Sequence, residues 1–165
     1  IRSALDGAVS GGATPLRVRA LLAGDGSFEV TTQPFVPLVL DAVWRLAIAE
    51  TRLDSADTLL RHKTTRRALY DDARAEVPKD VADEVLLLNE RGELCEGSFT
   101  SLFLRHADGP WLTPALSCGL LAGVLRAEMV EQGEAREAVL TPADLDGAEV
   151  AVGNSLRGLI RAKMA

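Results

Sequence analysis

Three glycine-bearing turns constrain this chain more than any other feature. Gly24-Asp25-Gly26 interrupts the alternating run RVRALLAGDGSFEVTTQP, Asn89 to Gly92 interrupts EVLLLNERGELCEG, and Ala107-Asp108-Gly109 interrupts SLFLRHADGPWLTP. Each is a hairpin signal: small or polar residues accept the backbone angles of a tight turn, and the flanking runs supply the strand faces. Trp44 to Glu50 adds a strand of mixed periodicity, and Glu149 to Val152 reads as a last strand. Helical patterns fall between them. Residues 1–9 read as the end of a helix. TTRRALYDDARAEV at 64–77 puts Ala68, Leu69, Ala73 and Val77 on or near one stripe before Pro78 stops it. Leu120 to Gln132 has helical spacing, with Gly133 where a C-terminal cap belongs. Thr141-Pro142-Ala143-Asp144 opens a short helix with an N-cap, a proline at the first position and an acid in the first turn. Strands and helices interleave, yet the strands come mainly as hairpins. The expected fold is α/β in the broad sense (mixed α+β), with a mixed or antiparallel sheet and flanking helices.

The SGGATP run at 10–15 reads as a linker, separating residues 1–14 from a domain over 15–165. A length of 165 residues suits one such domain. Net charge is −6 at pH 7, which leaves no basic face for nucleic acid or an anionic membrane. The longest apolar stretch is shorter than the roughly 18–20 residues that span a bilayer. Cys95 and Cys118 fit no ligand spacing and suit reduced thiols in a cytoplasmic protein. The chain opens on Ile1 with no signal peptide after it, so further residues are expected upstream.

Four segments carry candidate chemistry. Lys63 lies in LLRHKTTRR, between an apolar pair and a helix start. Such a lysine is either a solvated flank or, if burial or neighbouring cations depress its pKa, a nucleophile. Glu96, in CEGSFT with Ser98 beside it, sits between a strand and a Gly-Ser corner. It is either a plain hairpin-end acid or a carboxylate aimed into a cleft. LSCGLLAG at 116–123 leads into a helix, where small residues let backbone N–H groups approach an anion, although a glycine pair before a helix is common. Gly153-Asn154-Ser155 follows a strand; it is an ordinary turn or a second pair of anion donors. His62 and His106 share no ligand spacing with the cysteines, so no metal site is expected.

These four pieces, in this order, resemble the class IV aminotransferase family, the fold-type IV pyridoxal-phosphate enzymes. The matching text is HKTTRRALYDDAR, ELCEGSFTSLFL, LTPALSCGLLAGVLRAEM and AVGNSLRGLIRA, within residues 15–163. The resemblance implies the larger C-terminal domain of that family, with a barrel-like sheet, and pyridoxal 5'-phosphate as cofactor. It implies that Lys63 is catalytic and tethers the cofactor, and that Glu96, with Ser98 beside it, meets the pyridine nitrogen. It implies that Gly123, Val124 and Leu125, with Asn154 and Ser155, hold the phosphate. Such a set is chemically coherent. The cofactor is an electron sink only while its ring nitrogen stays protonated, and helix N–H groups with Ser/Asn donors can hold a phosphate without a basic patch.

Three departures from the family pattern stand out. Ser101 replaces a frequent Asn, and Leu125 replaces a frequent Thr, so any phosphate contact at Leu125 would be through its N–H. The family's smaller N-terminal domain, which usually contributes an arginine toward the phosphate, is nearly absent, and residues 1–14 would be its remnant. Within the family, LSCGLLAGVLR followed by GNSLRGL is most similar to the aminodeoxychorismate lyases, including those fused behind a synthase. That implies a small-molecule substrate, 4-amino-4-deoxychorismate, with 4-aminobenzoate and pyruvate as products on the way to folate. It also implies a cytoplasmic homodimer. A branched-chain or D-amino-acid aminotransferase shares every cofactor residue named here, and a non-catalytic domain is a further alternative.

Overall fold

A computed structural model describes residues 2–9 and 14–165. Ile1 and the first four residues of the expected linker, 10–13, lie outside the described residues. The chain divides into two compact units, Ile1–Val39 and Leu40–Ala165.

The first unit holds helix α1 (Arg2–Val9) and the antiparallel pair β1 (Leu16–Leu22) and β2 (Phe28–Pro34). Leu22 pairs with Phe28 across the glycine turn, where Asp25 Oδ1 accepts the Ser27 N–H at 2.9 Å.

The second unit is built on eight strands. They are β3 (Val43–Leu53), β4 (Glu84–Asn89), β5 (Leu94–Gly97), β6 (Ser101–Arg105), β7 (Trp111–Pro114), β8 (Ala135–Ala138), β9 (Glu149–Asn154) and β10 (Gly158–Met164). Their order is β5-β4-β3-β10-β9-β6-β7-β8. Hairpins β4–β5, β6–β7 and β9–β10 are antiparallel, while β3–β4, β3–β10 and β7–β8 are parallel. The sheet is therefore mixed. It curls until its edges meet: Leu94 N–H, on edge strand β5, donates at 2.7 Å to the carbonyl of Leu140, two residues past the other edge strand.

The continuous apolar run of β4 follows from this curl. All six of its residues are buried. Leu86 and Leu88 join Leu46, Leu94, Leu102, Val152 and Ile160 on one face of the sheet. Val85 and Leu87, pointing the other way, pack with Ala49, Leu53 and Ala73 under helix α2 (Ala68–Ala75). A strand covered on both faces has no polar side to show in its sequence. Helix α3 (Val124–Glu131) covers a third patch around Phe103, Met129 and Ala151.

Several boundaries differ from the sequence reading. α2 begins at Ala68 rather than residue 64, and Leu69 is 41% exposed. Its buried face is Ala73, flanked by Tyr70 and Val77. α3 begins at Val124 rather than Leu120. Leu120 is drawn into the core and the Leu121 N–H donates to a side-chain carboxylate, so helical bonding starts only after Gly123. β9 is not the last strand. β10 lies between it and β3, and its burial is confined mainly to Ile160. β8 (AREA) carries two exposed charges at an edge, which hides it from a reading based on alternating apolar residues. The expected cap at Thr141 is present as a capping box on a single 3-10 turn, Pro142–Leu145.

Candidate functional site

A cavity of about 650 Å³ opens in the second unit. Its walls are the segment before α2, the turn between β5 and β6, the approach to α3 and the turn after β9.

The segment before α2 is set by a 3-10 turn, Thr58–Arg61. Asp57 caps it by accepting the Leu59 N–H at 2.9 Å, and Leu60 anchors it in the core. The chain leaves this turn extended at His62, and Lys63 follows on the cavity lining. The Lys63 amine has no hydrogen-bond or ion-pair partner among the described residues, and its charge acts on Glu96.

Glu96 comes from β5 and is only 6% exposed. Its Oε1 accepts from the Tyr70 hydroxyl at 2.6 Å and from the Leu121 N–H at 3.3 Å. Oε2 has no partner among the described residues. Burial pushes the carboxyl up to about 7, against the opposing pull of those two bonds and of the Lys63 and Arg67 charges. Near neutral pH this group is therefore poised between its two forms.

The β5–β6 turn that carries Ser98 is bolted to a second buried acid. Glu84, at the head of β4, accepts from the Val85 and Ser98 N–H groups, the Ser98 hydroxyl, the Phe99 N–H and the Thr100 hydroxyl, at 2.6–3.3 Å. Gly97 is needed for this approach, because a Cβ there would run into Thr100 Oγ1 and come within 2.9 Å of Glu84 Oε2. From outside, Arg67 Nη2 donates to Ser98 O at 2.7 Å, and Asn154 Nδ2 donates to Phe99 O at 3.2 Å.

The fourth wall offers donors. Gly123 caps α3 without a side chain, so the first N–H groups of the helix face no protein acceptor in the helix itself. Arg126 is buried and ties α3 to Pro114 O at 2.8 Å and to the Glu137 carboxylate, which sets the direction of that N-terminus. Gly153 lets β9 pass beneath: a Cβ there would lie 2.8 Å from Leu125 Cδ2 and 2.5 Å from Gly158 O. Asn154 Oδ1 accepts the Leu156 and Arg157 N–H groups, so its side chain holds its own turn. The neighbouring Ser155 hydroxyl has no partner among the described residues.

All eight residues singled out from the sequence (Lys63, Glu96, Ser98, Gly123, Val124, Leu125, Asn154 and Ser155) line this one cavity. Three others were not anticipated. Tyr70 holds Glu96, Glu84 holds the turn, and Arg67 joins α2 to that turn. Tyr70 is the only tyrosine in the chain, and Glu84 is an acid heading an apolar run. Both oddities were visible, but neither discloses its partner. Among the described residues no group of three or more His, Cys, Asp or Glu is placed to hold a metal. None of the described helices is long and apolar enough to cross a membrane.

The arrangement places an unpaired amine, a half-engaged buried carboxylate and an array of anion donors around one space. That set fits an anionic aromatic ring bearing an aldehyde and a phosphate. Comparison with known proteins gives the same direction. The amino-transferase class IV family model matches residues 7–164. A solved Mesorhizobium loti protein, provisionally named an amino-acid aminotransferase, is 52% identical with a TM-score of 0.97, covering 100% of this chain and 80% of that one. A Schizosaccharomyces pombe protein, provisionally named an aminodeoxychorismate lyase, is 36% identical over 78 residues, 46% of this chain and 33% of its own length. The match thus spans about a third of that curated relative. A Thermotoga maritima structure, provisionally named a branched-chain amino acid aminotransferase, is 24% identical with a TM-score of 0.87, covering 98% of this chain and 61% of its own; at that identity the likeness is one of fold.

Proposed function

The chain belongs to the class IV amino-transferase family, whose cofactor is pyridoxal phosphate, and from that premise we propose that it is a lyase converting 4-amino-4-deoxychorismate to 4-aminobenzoate and pyruvate. The observation that carries this reading is that one cavity is lined by both the unpaired Lys63 amine and Glu96 with its free oxygen. Lys63 would tether the cofactor, Glu96 would hold the proton on its ring nitrogen, and the N–H groups opening α3 with the Ser155 hydroxyl would hold its phosphate. When bound, the cofactor supplies an electron sink for charge developing beside the substrate's amine.

Lys63 Nζ does the remaining proton work. It takes the proton from the ring carbon that bears the substrate's amino group, and it returns one to the departing enolpyruvyl group. Arg66 also lines the cavity, and its guanidinium has no partner among the described residues. A free cation there suits a substrate with two carboxylates. The matching stretch of the yeast relative favours the same substrate. A homodimer in the cytoplasm belongs to the same proposal.

A second reading is favoured by the Mesorhizobium loti likeness, which runs the length of the chain. In it the same residues would serve an amino-acid aminotransferase, for branched-chain or D-amino acids. Two assays separate the readings. Pyruvate released from 4-amino-4-deoxychorismate supports the lyase. Glutamate formed from 2-oxoglutarate and an amino acid of either hand, without that pyruvate, supports the aminotransferase. In either case Lys63→Ala should reduce turnover by about 1,000-fold or more, because both the tether and the proton carrier are gone. Retained turnover would remove Lys63 from its role.

A further inference from the structure

Glu96 is held by one edge only. Two donors, the Tyr70 hydroxyl at 2.6 Å and the Leu121 N–H at 3.3 Å, converge on Oε1, and Oε2 is left to the cavity. A backbone N–H at 3.3 Å is a weak anchor; the short phenolic bond dominates. The phenol is itself fixed. Its ring packs in the cluster that contains Leu87, Cys95 and Leu120, and the Arg67 guanidinium lies over it, 5.3 Å from the ring centre. Arg67 in turn is tied to Ser98 O and pairs with Asp71 at 3.6 Å. Burial and the Glu96 charge push the phenol far above its ordinary range.

We propose that Tyr70 is a positioning residue: its hydroxyl fixes the plane of the Glu96 carboxylate so that Oε2, and no other protein oxygen, is presented to the ring nitrogen of the cofactor. Without that bond only the Leu121 N–H at 3.3 Å restrains the carboxylate about its last side-chain torsion, which is broad and roughly two-fold. The inference rests on the family's cofactor and is indifferent to whether lyase or aminotransferase chemistry follows. The groups that face Glu96 are few. Lys63 comes from the segment before α2, Arg67 and Tyr70 from the start of α2, and the Leu121 N–H from the approach to α3. Cys95 precedes it on its own strand.

The sole tyrosine makes the test clean, because tyrosine labelled with ¹³C at Cζ gives one resonance for the full chain. In the cofactor-free protein that resonance is expected to move with a midpoint near 7 as Glu96 ionises, and Glu96→Gln is expected to abolish the movement. Tyr70→Phe, which keeps the ring and its packing, is expected to weaken pyridoxal phosphate binding about tenfold in an equilibrium titration. It is also expected to raise the midpoint pH of that binding. A resonance indifferent to Glu96→Gln, or a Tyr70→Phe protein that binds the cofactor like the wild type, overturns the positioning role and leaves the cofactor site standing. A wild-type chain that takes up no pyridoxal phosphate is a different failure: it overturns the cofactor site, and this inference with it.

Discussion

Glu84 and Glu96 sit on the two strands of one hairpin, both buried, with opposite fates. Glu84 receives five hydrogen bonds spread over both oxygens, and it organises the turn from Ser98 to Thr100. Glu96 receives two, on one oxygen, and its other oxygen faces the cavity. A buried carboxylate with a full set of donors is part of the scaffold; one that is half-served is unfinished until something else arrives. The pair shows how a fold can hold a functional charge out of water: it stabilises one acid completely and uses it to set the frame around the other.

The largest effect expected from breaking this contrast is on the scaffold side. Glu84→Ala takes the acceptor from five hydrogen bonds, the Ser98 N–H keeping its bond to Val85 O at 3.2 Å, and should lower unfolding stability by about 4 kcal/mol in urea titration. A loss under about 1 kcal/mol would make Glu84 dispensable and the contrast false.

Glu96→Gln should do the reverse to stability. The Glu96 carboxyl titrates near its ordinary 4.5 when unfolded and near 7 when folded. Between those values the folded state holds the extra proton, so stability falls as pH rises through the window, and the deficit is complete above about 7. It amounts to about 3–4 kcal/mol at about 1.4 kcal/mol per pH unit. Cofactor-free Glu96→Gln should therefore be more stable than wild type at pH 8, by up to that amount, and no more stable at pH 4. Its activity with cofactor should fall about 100-fold or more, since an amide does not keep the ring nitrogen protonated. Equal stability at pH 8 and pH 4 would show that Glu96 is not buried as a charge.

A finer comparison removes one donor from the well-served acid. Thr100→Val deletes one of five bonds to Glu84 and should cost about 1 kcal/mol, without changing the pH at which the cofactor binds. A shift in that pH would mean that the two carboxylates are coupled through the turn, rather than divided between scaffold and site.

The three hairpins were legible because a tight turn is a local event. Turn residues bounding apolar or alternating runs, with the positive φ of Gly26 and Gly92 in the first two turns, sufficed to place β1–β2, β4–β5 and β6–β7. The helix starts were less legible. Leu120 to Gly123 has helical spacing, but the core takes Leu120 and Glu96 takes the Leu121 N–H, contacts made by residues far away in the chain. β8 and β10 escaped for a related reason: their pairing is supplied by neighbouring strands, not by a pattern of their own.

The site divides in the same way. Lys63, Glu96, the loop before α3 and the Asn154-Ser155 turn each admit a bland reading on their own; it is their order along the chain, and the family it resembles, that singles them out. What the sequence does not contain is who holds whom. Tyr70 reaches Glu96 across 26 positions, and Glu84 reaches Thr100 across 16. A residue's chemical capacity is written in its identity. Which of its oxygens is engaged and which stays free depends on where distant segments bring their donors, and only the packed sheet with its two helices decides that.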